Sequence, residues 1–345
     1  MRDDPGFDRD AITACLDVQY GIRVASITFL PVGHDPYASV YEITADDGTA
    51  TFLKIRSGPV HIPALTVPRA LIDHGIPAVL APLRTRDGDM WSWLDGHDGF
   101  TVVLYPFLWG ENASVVGLTD DQWRAFGATL RATHDSGLGD RFRGQLRAED
   151  FALPSASLVR RMLGVVHETT FAGEAAAGPA AFWRENVVRI GDLLARAEGF
   201  GATLRAKPFE LVLCHGDIHA ANILVGEDGH LWLVDWDAPL VAPRERDLLF
   251  VVGSRIARVV TPREEDLFFA GYGPVEIDPV ALTYYRYERI VEDLGEFAKT
   301  VFLDPDVSES TRAQEAALAL GFFAPGGDID RAETVPRLRW PSASV

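Results

Sequence analysis

Three side chains in the second half of the chain carry the strongest chemical signal. Asp217 and Asn222 stand five residues apart in Leu211-Val212-Leu213-Cys214-His215-Gly216-Asp217-Ile218-His219-Ala220-Ala221-Asn222, and Asp235 comes thirteen residues later in Val234-Asp235-Trp236-Asp237. An apolar run delivers Asp217 onto a loop. A hairpin then separates Asn222 from Asp235, with strands expected at 223–225 and 231–236 and a turn at Glu227-Asp228-Gly229. Two acids and an amide therefore converge at one end of a small sheet. Phosphoryl transfer needs this set: an acid to orient and deprotonate an attacking hydroxyl, and oxygen ligands for a Mg²⁺ that bridges phosphates. Taken singly, Asp and Asn in loops are turn-formers. The flanking apolar strands and the second acid make the combination point to chemistry.

Lysine is scarce. Only Lys54, Lys207 and Lys299 occur among 32 basic residues. Lys54 lies in a strand-like run, Phe52-Leu53-Lys54-Ile55. A lysine at a strand edge commonly snorkels to water, but a rare lysine kept among apolar strand residues favours a functional reading.

The elements that must position these groups change character along the chain. Residues 8–19 have helical spacing, and strands are expected at 27–30, 39–44, 51–55, 91–94 and 100–105, with Asp46-Asp47-Gly48 as a hairpin turn. Pro59, Pro63 and Pro68 interrupt the segment after the strand at 51–55, leaving a short helix at 69–74 ended by Gly75. From Leu118 onward helical patterns dominate. Thr119 with Gln122 reads as a capping box for a helix to about His134, residues 155–206 are rich in Ala, Arg and Leu, and a long helical segment spans 278–300.

The loop His215-Gly216-Asp217-Ile218-His219-Ala220-Ala221-Asn222 resembles the catalytic loop of the aminoglycoside phosphotransferase family, relatives of the protein kinases. Val234-Asp235-Trp236 resembles that family's second metal site. The resemblance runs over nearly the whole chain. It implies an α+β, protein-kinase-like two-lobed fold: a small, mainly β N-lobe with an antiparallel sheet at 1–104, a hinge at 105–111, a larger, mainly helical C-lobe at 112–335, and a tail at 336–345. It implies Asp217 as catalytic base and Asn222 and Asp235 as Mg²⁺ ligands. Gly33, Lys54, Tyr105 and Phe107 become nucleotide-binding positions for ATP or GTP: Gly33 in the loop over the phosphates, Lys54 on the phosphates, and Tyr105 and Phe107 at the hinge.

Further motifs are similar to the spectinomycin phosphotransferase branch: Asp235-Trp236-Asp237-Ala238-Pro239, Ala242-Pro243-Arg244-Glu245-Arg246-Asp247-Leu248, and Tyr284-Tyr285-Arg286-Tyr287-Glu288-Arg289-Ile290-Val291-Glu292-Asp293. That branch phosphorylates a hydroxyl of an aminocyclitol antibiotic. The resemblance implies a small, cationic, polyhydroxylated substrate and resistance to the drug. Trp236 is expected as an apolar wall or cation–π face, with Asp237, Glu288 and Glu292 as acids around an ammonium group. Glu288, Glu292 and Glu296 also share one helical face, which by default is solvated and paired with Arg286 and Arg289. His215 and His219, four apart, are read as structural rather than as zinc ligands.

Bulk properties narrow the class further. A net charge of −18 argues against a nucleic-acid partner. The apolar runs are too short for a membrane span, and an acidic N-terminus without an apolar stretch does not read as a signal peptide. With two cysteines, Cys15 and Cys214, the expectation is a cytoplasmic protein.

One departure stands out. Kinase-like enzymes pair the strand lysine with a glutamate from the next helix, yet no glutamate occurs between Glu42 and Glu111. Asp73 is the only acid on the expected helix, and Lys54 is left without a partner unless it turns to Asp235. A choline- or homoserine-type metabolic kinase and a nucleotide-binding pseudokinase remain open at this point, as does the oligomeric state.

Overall fold

The computed structural model describes residues 4–32, 37–94, 96, 99–171, 174–304, 307, 309–323 and 329–330. Gly33 and the tail at 336–345 lie outside the described residues. Two compact units emerge, one made of residues 1–147, 212–241 and 256–273, the other of 148–211, 242–255 and 274–345.

The first unit is built on a five-stranded antiparallel sheet. Its strands are β1 (Val24–Leu30), β2 (Ala38–Ala45), β3 (Ala50–Ser57), β4 (Ser92–Trp93) and β5 (Phe100–Pro106), in the order β1-β2-β3-β5-β4. One face presents Tyr41, Ile43, Leu53, Ile55, Val102 and Leu104 to Ile12, Cys15 and Leu16. Those three belong to the opening segment, helix α1 (Arg9–Cys15) and the wider turn Leu16–Tyr20 that continues it. Asp8 caps α1 by accepting from the Asp10 N–H at 2.9 Å. Because strand residues alternate faces, Phe52 and Lys54 point away from this core. Lys54 sits between Val40 of β2 and Val103 of β5.

After β3 the chain forms α2 (Ile62–Asp73), a longer helix than the prolines suggested. Pro63 falls in the first turn, where a missing N–H costs nothing. Pro68 removes one interior hydrogen bond, but seven of the twelve residues, including both prolines, Leu65, Val67 and Leu71, are buried. Apolar burial of that face outweighs the lost bond.

Helix Asp120–His134 starts at the expected capping box: Gln122 N–H donates to Thr119 Oγ1, and the Thr119 N–H donates to Gln122 Oε1. It packs on helix Pro262–Tyr272, where Phe126 meets Phe268 edge-on and His134 Nδ1 meets the Tyr272 hydroxyl at 2.6 Å. The hairpin after Asn222 pairs Ile223–Gly226 with Leu231–Leu233, and Gly110–Asn112 pairs with the other edge of Ile223–Gly226. The second hairpin strand stops at Leu233 rather than Trp236. Asp235 adopts φ 63°, a left-handed conformation that ends any strand and that non-glycine residues seldom take.

The second unit is helical. Ala156–Glu168, Val187–Arg205 and Pro279–Ala298 bury Val159, Met162, Ile190, Leu193, Ile290 and Leu294 in one core. Asp278 caps the last of these, accepting from the N–H groups of Val280 at 2.8 Å and Ala281 at 3.1 Å. Cys15 and Cys214 are both buried thiols outside any disulfide. Among the described residues no helix is long and apolar enough to cross a membrane.

Candidate active site

Strand Val212–Cys214 is wholly buried and leads into the loop that carries Asp217. Gly216 makes the turn possible. Its φ is +88°, and a Cβ there would come within 2.6 Å of the Ala238 carbonyl oxygen, so only glycine fits both the conformation and the space. His215 then stitches the loop together. Its Nδ1 accepts from the Asp217 N–H at 3.3 Å, and its Nε2 donates to the Val234 carbonyl at 2.9 Å. With both ring nitrogens on backbone groups, His215 acts as a brace between the Asp217 loop and the loop holding Asp235. His219 Nε2 lies 3.6 Å from Asp217 Oδ2.

Asn222 is buried at the foot of the hairpin and donates from Nδ2 to the Asp217 carbonyl at 2.8 Å. Its own carbonyl accepts from the Val234 N–H at 3.0 Å. Asp217, Asn222 and the segment leading into Asp235 are thus tied together through the Asn222 amide and backbone groups. Burial, and then the charge of Asp237, hold the Asp235 carboxyl above its ordinary range, while Lys54 and His215 act the other way. The donor set of Asn222 and Asp235 is all oxygen, and the two neighbouring carboxylates leave the spot short of positive charge. That chemistry fits a hard divalent cation such as Mg²⁺.

Lys54 reaches this cluster from β3. Its Nζ donates to Asp237 Oδ2 at 3.1 Å, with 20% of the lysine side chain and 56% of the aspartate side chain exposed. Tyr105, opposite Phe52 in the β3–β5 register, is drawn to the same corner: burial, then the carboxylates of Asp237 and Asp235, push its phenol above the ordinary value. Phe107 packs on Trp109 with ring centroids 4.6 Å apart.

Comparison with known proteins gives the family. The model of the phosphotransferase enzyme family matches residues 28–285, about three quarters of the chain. The chain belongs to the phosphotransferase enzyme family. It is accordingly an enzyme of the class that phosphorylates alcohol groups. A spectinomycin phosphotransferase solved with ADP and spectinomycin is similar at 28% identity and a TM-score of 0.86, covering 96% of this chain and 99% of that one. An amicoumacin kinase solved with AMP-PNP and Ca²⁺ gives 18% identity and a TM-score of 0.62, covering 95% of this chain and 94% of that one. A choline kinase from Streptococcus pneumoniae gives 13% identity and a TM-score of 0.52 over 90% of this chain and 98% of that one. The last two share the fold, which is the kinase-like α+β architecture expected from the sequence. No curated protein matches the chain significantly.

Within this phosphotransferase several expected contacts are redrawn. Lys54 is not without a partner, and that partner is neither Asp235 nor Asp73. Asp73 is held by Arg69 at 2.8 Å and by Arg84 at 3.5 Å. Asp237, expected beside the acceptor, instead engages Lys54. Trp236, expected as a substrate wall, is only 3% exposed; its ring packs against His215 at a tilt of 50° with centroids 4.4 Å apart, and its Nε1 donates to the Leu233 carbonyl at 3.1 Å. Its face is spent on bracing the loop.

Glu288 and Glu292 belong to the second unit. Glu288 is 0% exposed and takes a hydrogen bond from Arg246, so it lies on no solvated face. Glu292 is part-buried, 3.8 Å from Arg246. Burial works against the Arg246 charge, but Glu288 and Glu292 outweigh it and stabilise the guanidinium. Arg286 and Arg289, the expected partners, turn instead to the Val252 carbonyl and to Asp293. Two residues escaped sequence reasoning. Trp109 could have been found as a second aromatic beside Phe107; His61, whose Nδ1 lies 3.0 Å from the Asp237 carbonyl, carried no local signal.

Proposed function

We propose that this phosphotransferase moves the γ-phosphate of ATP or GTP to a hydroxyl of a small cationic aminocyclitol, with a spectinomycin-like drug as best substrate, and so confers resistance. The observation that carries the reading is likeness to the spectinomycin phosphotransferase over 96% of the chain at 28% identity. The local arrangement around Asp217 supports the chemistry. In this reading the acceptor hydroxyl donates its proton to the Asp217 carboxylate as its oxygen bonds to phosphorus and the nucleoside diphosphate departs. Lys54 binds nucleotide phosphates, while Tyr105 and Phe107 contact the nucleotide beside them. Asn222 and Asp235 hold Mg²⁺, which when bound neutralises charge on the phosphate oxygens. Residues 105–111 serve as the hinge of the expected domain division, and the enzyme works in the cytoplasm.

The test is a panel of aminocyclitols, aminoglycosides, choline, homoserine and neutral sugars with ATP and Mg²⁺, read by mass spectrometry. Mono-phosphorylated spectinomycin, with survival of expressing bacteria on the drug, is expected. Robust phosphorylation of choline or homoserine with no drug modified would move the enzyme to metabolism, and nucleotide binding without transfer to any acceptor would contradict the reading.

A further inference from the structure

The lysine expected to bind phosphate has a carboxylate partner from an unexpected direction. In kinase-like folds the partner comes from the helix that succeeds the lysine strand. Here that helix is α2, and the chain offers no glutamate between Glu42 and Glu111. The acid α2 does carry, Asp73, is in its last turn, about 18 Å along the helix axis from His61 at the other end. Arg69 and Arg84 occupy it.

Asp237 meets both requirements that α2 leaves open. Its Oδ2 accepts from Lys54 Nζ at 3.1 Å, and its backbone carbonyl meets Nδ1 of His61, the residue that opens α2, at 3.0 Å. Asp237 stands two residues past Asp235, which holds a left-handed φ of 63°. One residue thus links the lysine strand, the start of α2 and the loop of the second acid.

We propose that Asp237 is the positioning residue for Lys54, supplying from the metal loop the carboxylate that α2 lacks, and that its carbonyl bond to His61 couples the start of α2 to that loop. An ammonium group has three donors. Asp237 takes one, which leaves two for phosphate oxygens, so the pair persists when nucleotide binds. The carboxylate restrains a long, flexible side chain before the ligand arrives and so lowers the ordering cost of binding. Asp237 is thereby committed to the nucleotide side of the reaction rather than to the ammonium groups of the acceptor.

This inference rests on the phosphotransferase reading, and its test separates the two. Binding of Mg²⁺–ATP to the full chain is measured by calorimetry without acceptor, for the parent, Asp237→Ala and Asp237→Glu. Asp237→Ala is expected to weaken ATP by about tenfold, as for loss of a hydrogen bond to a charged group. It should raise the KM for ATP more than it lowers kcat and leave the acceptor KM within twofold; Asp237→Glu should recover part of the affinity. With ¹⁵N at the lysine ζ position only three signals exist. Without nucleotide, the Lys54 signal should shift in Asp237→Ala, and that of Lys207, paired with Asp278 in the other unit, should stay. Unchanged ATP affinity, a rise in acceptor KM alone, or an unmoved Lys54 signal would overturn the assignment of Asp237 while leaving the phosphotransferase reading intact. A parent chain that binds neither ATP nor GTP would overturn both.

Discussion

Asn222 donates from its side-chain amide to the backbone carbonyl of Asp217 at 2.8 Å, so the residue proposed to hold the metal also holds the turn that carries the proposed base. Two substitutions separate these roles. Asn222→Asp keeps an oxygen ligand but loses the donor; Asn222→Ala loses both. Asn222→Ala should lower kcat/KM about 10–100-fold and raise the Mg²⁺ concentration needed for half-maximal rate. Asn222→Asp should lower the rate with little change in that Mg²⁺ midpoint. A Mg²⁺ titration of steady-state rates checks both outcomes.

Gly216 combines φ +88° with a backbone oxygen 2.6 Å from where a Cβ would stand. Gly216→Ala must either strain the turn or push Ala238 away. A cost of about 1–3 kcal/mol is expected, measurable as a lower midpoint in chemical denaturation. Because the same turn orients Asp217, the residual folded enzyme should also turn over more slowly.

The Arg246–Glu288 pair is buried in the second unit, with Glu288 at 0% exposure and the Arg246 guanidinium 5.6 Å from the Tyr285 ring centroid. Removing Glu288 leaves the buried Arg246 charge with only the more distant Glu292 carboxylate, 3.8 Å away. Glu288→Ala should cost about 3–5 kcal/mol of stability, read by denaturant unfolding. Stability that is unchanged, together with a higher drug KM, would return Glu288 to the substrate.

Asp278 caps helix Pro279–Ala298 and bonds Lys207 Nζ at 3.0 Å. Burial raises its carboxyl, but the Lys207 hydrogen bond and the Ala281 and Val280 N–H groups outweigh this and hold it below the ordinary range. A depressed value means stability that is full above the unfolded carboxylate range, about pH 4, and lost as pH falls through the folded value. Asp278→Ala should therefore destabilise by about 1 kcal/mol at pH 7, and the gap to the parent should close below about pH 4. Thermal melts across pH 3–7 check the sign.

Legibility in the sequence tracks the range of the forces involved. Local rules are written in neighbouring residues, so the Thr119–Gln122 capping box, the Asp46-Asp47-Gly48 turn and the alternation of β3 were legible. The proline-rich start of α2 misled because burial of its apolar face, a tertiary effect, outweighs one missing hydrogen bond. The second hairpin strand stops at Leu233, short of the expected Trp236, because Asp235 takes a left-handed conformation that its residue type does not announce. The partners of Lys54 and Glu288 lie 183 and 42 residues away, and no local pattern announces such pairs. Trp236 looked available because tryptophan is often a binding surface; its burial against His215 emerges only in three dimensions.

The central claim is that Asp217 takes the proton of the acceptor hydroxyl. Asp217→Asn keeps the side chain's size and its loop, and the measurement is turnover on the best acceptor beside calorimetric binding of Mg²⁺–ATP. A positioned base contributes about 10²–10⁴-fold. A loss of kcat in that range is expected, with ATP affinity within a fewfold of the parent. Turnover within a fewfold of the parent would contradict that role for Asp217.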